Sequence, residues 1–229
     1  MKRVILTIMA ALFSFAGAFA QGDWAGFGRY AKANEAVLQK VAQAGKAARP
    51  KAVFFGDSIT DAWANRDDPE FFTDRGFVGR GISGQTSSHM LVRLRPDVLD
   101  LQPKYMVFLG GINDIARNNG PIEVEAVFGN IVSIVELARL HKIKPVICLV
   151  FPTTFIPWRR EVEDVAAKIE QLNCLLRDYA AKHKIPCVDY FEGVDLAGGS
   201  LPKNLSADGV HPTSEGYRIM EQKILTVLK

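Results

Sequence analysis

The stretch KAVFFGDSITDAW, residues 51–63, decides the fold. Its first half is an unbroken apolar run that stops at Gly56-Asp57-Ser58, and the chain then turns amphipathic. A short apolar run closed by glycine reads as a strand buried on both faces, and the amphipathic continuation reads as a helix packed against it. Ser58 stands at the junction, where a serine has two uses: its hydroxyl can cap the helix, or it can attack a substrate. The residues beside it do not choose between them.

Working outward, the same unit recurs. Apolar runs at 105–109, 146–151 and 186–190 read as further buried strands, with a weaker one at 76–80. Between them lie stretches with apolar residues three and four apart: 87–101, interrupted at Pro96; 121–141, opening on Pro121; 161–183; and 214–228. An amino-terminal stretch, 24–45, has the same spacing and stops at Gly45. Strands alternating with helices imply parallel pairing through crossovers, so the expected fold is a doubly wound α/β/α sandwich on a five-stranded parallel sheet.

The ends of the chain set the context. Residues 1–20, MKRVILTIMAALFSFAGAFA, carry a basic start at Lys2 and Arg3, an apolar middle, and Ala18-Phe19-Ala20 as a cleavage pattern. They read as a signal peptide, with one mature domain over 21–229 and a periplasmic or extracellular destination. The apolar stretch is at the short limit for a membrane span, and no cysteine at the junction offers a lipid anchor. The 28 basic residues lose two with Lys2 and Arg3, leaving a net charge of +1 against 25 acidic ones. A near-neutral count gives no electrostatic reason to expect nucleic acid or an anionic membrane as partner. The three cysteines, Cys148, Cys174 and Cys187, form no C-x-x-C pair; a Cys148–Cys187 disulfide between neighbouring strands is one reading, and buried free thiols are the other.

In open parallel sheets, ligands bind at the carboxyl ends of the strands. The segments there are GDSIT (56–60), GRGISGQT (79–86), GGIND (110–114), PTTFIPWRR (152–160) and the turn ADGVHPT (207–213). Ser58 needs a base before it can act as a nucleophile, and the chain has four histidines. His89, His141 and His183 lie on or at the ends of helical stretches, as surface or capping residues do. His211 sits in a turn with Asp208 three residues before it, a spacing that lets the acid hold one ring nitrogen and turn the other toward a nucleophile. Gly84 offers a backbone N–H and Asn113 a side-chain amide, the donors that a developing oxyanion requires. Each of these has an ordinary structural use as a turn or cap; their coincidence at strand ends favours the chemical one.

These blocks resemble those of the SGNH hydrolases, also called the GDSL esterase/lipase family, from about Lys51 to the carboxyl terminus. FFGDSIT resembles the first block, RGISGQT the second, GGIND the third and DGVHPT the fifth. The resemblance, which includes the platelet-activating-factor acetylhydrolase-like and carbohydrate acetylesterase-like members, implies a flavodoxin-like sandwich. It also implies Ser58, Asp208 and His211 as the catalytic set, an oxyanion hole of Ser58 N–H, Gly84 N–H and Asn113, and no metal or organic cofactor. Ile59 and Ile112 depart from the commonest motif residues without removing a reacting group, and no G-x-S-x-G elbow surrounds Ser58.

The expected reaction is hydrolysis of a short acyl ester, acetyl above all, on a small molecule or glycan. Phe155 and Trp158 are the candidate substrate contacts: they could stack on a sugar face, or line a groove for the longer chains of a lysophospholipase, lipase or thioesterase. A non-catalytic binding module on the same fold is the reading from another class; it would have no reason to keep Ser58, Asp208 and His211 together.

Overall fold

A computed structural model describes residues 22–229 of the protein; the signal segment read at 1–20 lies outside them. Five parallel strands form one sheet: β1 (Ala52–Gly56), β2 (Phe77–Gly81), β3 (Tyr105–Leu109), β4 (Lys144–Cys148) and β5 (Cys187–Val188), in the order β2-β1-β3-β4-β5. This is the flavodoxin-like strand order, whose switch point falls between β1 and β3. The helices are α1 (Ala31–Ala44), α2 (Ser58–Ala62), α3 (Pro69–Thr73), α4 (Ser87–Leu94), α5 (Ile112–Ile115), α6 (Val124–Leu140), α7 (Val165–His183) and α8 (Ser214–Leu225). None of these is long and apolar enough to cross a membrane.

The side-chain alternation of a strand divides the core in two. Val53 and Phe55 of β1 and Met106 and Phe108 of β3 join the face covered by α4, α6 and α7. Ala52, Phe54, Tyr105 and Val107 join the opposite face, where Trp63, Phe71 and Phe72 pack beside α8. On that side α2 lies directly on β2. A Cβ added at Gly81 would come within 2.2 Å of Asp61 N, which is why the strand carries glycine where the helix crosses it.

Where elements differ from expectation, local chemistry explains it. The apolar run at 146–151 leaves the sheet after Cys148, because the buried Asn173 takes over the backbone: its Oδ1 accepts from Val150 N at 2.9 Å and its Nδ2 donates to Val150 O at 2.8 Å. The helix expected from Pro121 starts at Val124, since Glu123 is still extended (φ −76°, ψ 147°). At Pro96 the helix does not continue through a kink: α4 ends at Leu94 and a π-type turn, Arg95–Leu99, follows. The amino-terminal helix begins only at Ala31, behind a series of turns, and stops as expected at Gly45 (φ 74°).

The three cysteines are free. Cys148 pairs with Val188 and Cys187 with Ile147, so the two thiols point to opposite faces of the sheet and no disulfide joins them. Cys148 is instead a buried core residue beside Tyr190, and burial pushes its thiol up to about 12.

Candidate active site

The turn between β1 and α2 settles which residue caps the helix. Asp57 is the N-cap, its Oδ1 accepting from Ile59 N at 3.0 Å, and Ser58 is the first helical residue. The serine hydroxyl is thereby free of capping and lies 2.8 Å from Nε2 of His211. On the other side of the ring, His211 Nδ1 is 2.7 Å from Asp208 Oδ2. An ionised carboxylate can only accept, so Nδ1 carries the ring proton and Nε2 is left to accept from the serine.

The turn that carries this pair is built to present it. Asp208 Oδ1 accepts the backbone N–H of both Val210 (2.9 Å) and His211 (2.7 Å), closing a tight turn through Gly209 at φ 84°. Ser206 Oγ donates to His211 O at 2.8 Å, and Thr213 caps α8 immediately beyond. Burial alone would push the Asp208 carboxyl up. Its hydrogen bonds from the His211 ring and from the two backbone N–H groups outweigh burial and hold it below the ordinary carboxylate value.

The other sequence-predicted residues occupy the neighbouring loops. Gly84 follows β2 with φ 80°, and a Cβ added there would meet nothing within 4 Å, so its backbone faces open space. Asn113 opens α5 after β3 and is 1% exposed. One hydrogen of its Nδ2 donates to Gln85 O at 3.0 Å, which fixes the amide and leaves the second hydrogen available. Neither Ser58 N–H nor Gly84 N–H donates to another group among the described residues. Trp158 stands over the histidine, ring centroids 5.6 Å apart, and Phe155 lies against Gly209; both are substantially exposed.

Two acids beside the site anchor its loops. Asp114 accepts Ser87 N at 2.9 Å and Ser87 Oγ at 2.6 Å, tying the β3 loop to the start of α4. Asp57 is wholly buried and its Oδ2 has no partner among the described residues. Burial is the main cause that pushes each carboxyl up to about 6. Of the remaining histidines, His89 belongs to the capping box of α4 with Thr86, and His141 caps the end of α6.

Two residues were not singled out from the sequence. Asn118 bridges three site elements: its Nδ2 donates to Asn113 Oδ1 (2.8 Å) and Gly84 O (3.2 Å), and its Oδ1 accepts from Trp158 Nε1 (3.1 Å). Arg93, fully buried, donates to the carbonyls of Gly56 (2.8 Å) and Arg80 (2.9 Å), to Asp97 (2.8 Å) and to Gln85 Oε1, and stacks over Phe55. It therefore ties the carboxyl ends of β1 and β2 to the loop that carries Gly84 and Gln85.

A doubly wound sheet with a hydrogen-bonded Ser-His-Asp relay at its carboxyl end defines a class of acyl-transfer enzyme, and comparison with known proteins agrees. Residues 54–219 match the GDSL-like lipase/acylhydrolase family, and the chain belongs to it. A crystal structure of a GDSL-like lipase from Bacteroides thetaiotaomicron is 42% identical, covers 89% of this chain and 97% of its own, and superposes with a TM-score of 0.82. The isoamyl acetate-hydrolyzing esterase of Saccharomyces cerevisiae is 25% identical over 205 residues, 78% of this chain and 86% of that one. An uncharacterized lipoprotein of Bacillus subtilis is 27% identical over 210 residues, 75% of this chain and 86% of that one. The protein is a carboxylic ester hydrolase.

Proposed function

We propose that Ser58 is the nucleophile of an acyl-enzyme mechanism that removes short acyl groups, acetyl foremost, from carbohydrate. His211 Nε2 takes the proton of Ser58 Oγ as it attacks the ester carbonyl, and Asp208 steadies the imidazolium through Nδ1. The oxyanion is received by Ser58 N–H, Gly84 N–H and the second hydrogen of Asn113 Nδ2. His211 then gives its proton to the leaving alkoxide, and water repeats the cycle to release the acid and free Ser58.

The observation that carries the short-chain reading is a small, largely apolar cavity lined by sequence neighbours of the site residues: Asp57, the residue before Ser58, lines it, and Ser58 itself does not. It has a volume of about 10 Å³, room for a methyl group or one water molecule, and Ile59, Ile112 and Val210 help to line it. Each of the three is the immediate neighbour of a site residue: Ser58, Asn113 and His211. A long acyl chain has no room there without displacing packed side chains. Trp158, its indole N–H held by Asn118, supplies a fixed aromatic face next to the base, which suits the apolar face of a sugar ring.

A series of esters of one alcohol with acyl chains of increasing length, run beside an acetylated oligosaccharide panel, tests this. Acetate should be released fastest, with kcat/KM falling about tenfold or more by the longer chains. Faster turnover of long-chain esters, with no acetate released from sugars, would replace the reading with a lipase or thioesterase.

Asn118 acts in this scheme as a positioning residue. Asn118→Ala should lower kcat about tenfold, because the oxyanion donors lose their shared brace, and should also raise KM for sugar esters, because Trp158 loses the partner that fixes its face. An unchanged kcat would remove Asn118 from the scheme.

We further propose that residues 1–20 are cleaved on export and that 21–229 form one mature domain. The A-x-A pattern before Gln21 supports this, and the lipoprotein relative is consistent with a place outside the cytoplasm.

A further inference from the structure

The near-neutral composition conceals a strong segregation of charge. Asp57, Asp114 and Asp208 lie at the carboxyl end of the sheet, whereas the opposite, amino-terminal rim is basic. Lys51 and Lys104 immediately precede the paired Ala52 and Tyr105, and Lys144 pairs with Tyr105 itself. Lys184 lies three residues before Cys187, as Lys144 lies three before its partner Ile147. Four neighbouring strands thus each bring a lysine to one rim, at the sheet spacing of about 4.8 Å per strand.

These lysines are all exposed, and none forms an ion pair among the described residues. They border two adjoining hollows of about 510 and 350 Å³ that share Lys142 and Ile143, and no acidic side chain lines either hollow. Arg49 lies in the larger hollow and adds a further cation to its lining; its Nε is buried without a hydrogen-bond partner among the described residues. Lys104 Nζ also donates to the main-chain oxygen of Lys229 at 2.6 Å, so it is engaged within the chain, and the cations of the row whose ammonium has no hydrogen-bond partner among the described residues are Lys51, Lys144 and Lys184.

We infer that this rim is a binding groove for a linear carboxylate-bearing polymer, an acidic glycan chain. The row of cations repeats at about the length of one sugar unit. Concavity favours a chain that enters the groove over a flat bilayer that rests upon it. Tyr105 in the lining is 7% exposed and capped by Lys104 and Lys144, so the groove offers nucleic-acid bases no open phenol, indole or phenyl ring; its other rings are the smaller imidazoles of His141 and His183. The rim lies a strand's length, about 17 Å, from Ser58. A polymer held there does not enter the reacting site; it keeps the enzyme on the chain whose other segments the site can reach. The groove rests on charge and register alone and stands whichever acyl group Ser58 accepts.

The test titrates the full protein with unesterified oligogalacturonate and follows binding by calorimetry at about 50 and about 300 mM salt. Saturable binding is expected, weaker at the higher salt. In Lys142→Glu/Lys184→Glu it should weaken about tenfold or more, with Lys142→Gln/Lys184→Gln intermediate. Turnover of a small acetate ester should be the same in all three, which also reports their folding. Absence of binding at the lower salt, or equal binding by the charge-reversed protein, would overturn the proposal. So would tighter binding to single-stranded oligo-dT, or to phosphatidylglycerol vesicles in a manner lost in Leu140→Ser. Leu140, 77% exposed at the end of α6 near this rim, is the side chain a bilayer would take.

Discussion

Ser58→Ala is expected to lose about 10⁴-fold or more in kcat toward a chromogenic acetate ester while folding normally. In the proposed mechanism the hydroxyl forms the acyl bond, and His211 and Asp208 have nothing to activate without it. What remains is the contribution of the N–H donors and of substrate binding, which survive the change. Folding should be spared because Asp57 caps α2 and the Ser58 hydroxyl bonds only to the His211 ring. The unfolding free energy measured in urea should therefore change by less than about 1 kcal/mol. A fluorophosphonate probe should label the native protein at Ser58 and leave the variant unlabelled. Full activity in the variant, or no adduct on well-folded native protein, would show that the relay belongs to a binding site.

Ser58 also shows what a sequence can and cannot carry. Read locally it has two uses, and the neighbouring aspartate removes one of them: Asp57 takes the cap, and the serine is left facing His211, 153 residues away. The central strands β1 and β3 were legible because they are buried on both faces and bounded by glycine and proline, whereas the edge strand read at 186–190 is only Cys187–Val188, with Cys187 exposed; the positions of Gly84, Asn113, Asp208 and His211 beyond the strand ends were legible too. The ends of β4 were not, since an apolar run continues to Phe151 while the sheet stops at Cys148, and the reason is a distant asparagine. Asn118 was invisible for the same cause: nothing in RNNG marks its second residue as the brace between Gly84, Asn113 and a tryptophan 40 residues on. The basic rim shares this property, for its lysines come from separate segments and are gathered only by the parallel register.

Arg93 presents the sharpest contrast. RLRPD contains two arginines two residues apart, each within reach of an acid, and the sequence gives no ground for distinguishing them. Arg95 pairs with Asp100 in solvent, its side chain 61% exposed, a pair of the kind that contributes little. Arg93 and Asp97 are both buried, and the guanidinium's other hydrogens reach Gly56 O, Arg80 O and Gln85 Oε1. Arg93→Ala should therefore destabilise the protein by about 3–5 kcal/mol, because it leaves the Asp97 charge and three further acceptors buried without their donor. Asp97 would retain one bond, from Asn34 Nδ2 at 2.7 Å, which is too little to solvate a carboxylate in the core. Urea unfolding monitors the loss as a lower midpoint at unchanged slope. Arg93→Met combined with Asp97→Leu should recover much of it, since removing both charges removes the penalty of stranding one. The recovered double variant should still turn over esters more slowly than the native enzyme: without Arg93, the ends of β1 and β2 lose their side-chain tie to Gln85, whose carbonyl holds the Asn113 amide, and keep only the backbone bonds through Ile82. A loss below about 1 kcal/mol in Arg93→Ala would mean that water reaches Asp97, and that the carboxyl end of the sheet does not depend on this ion pair for its shape.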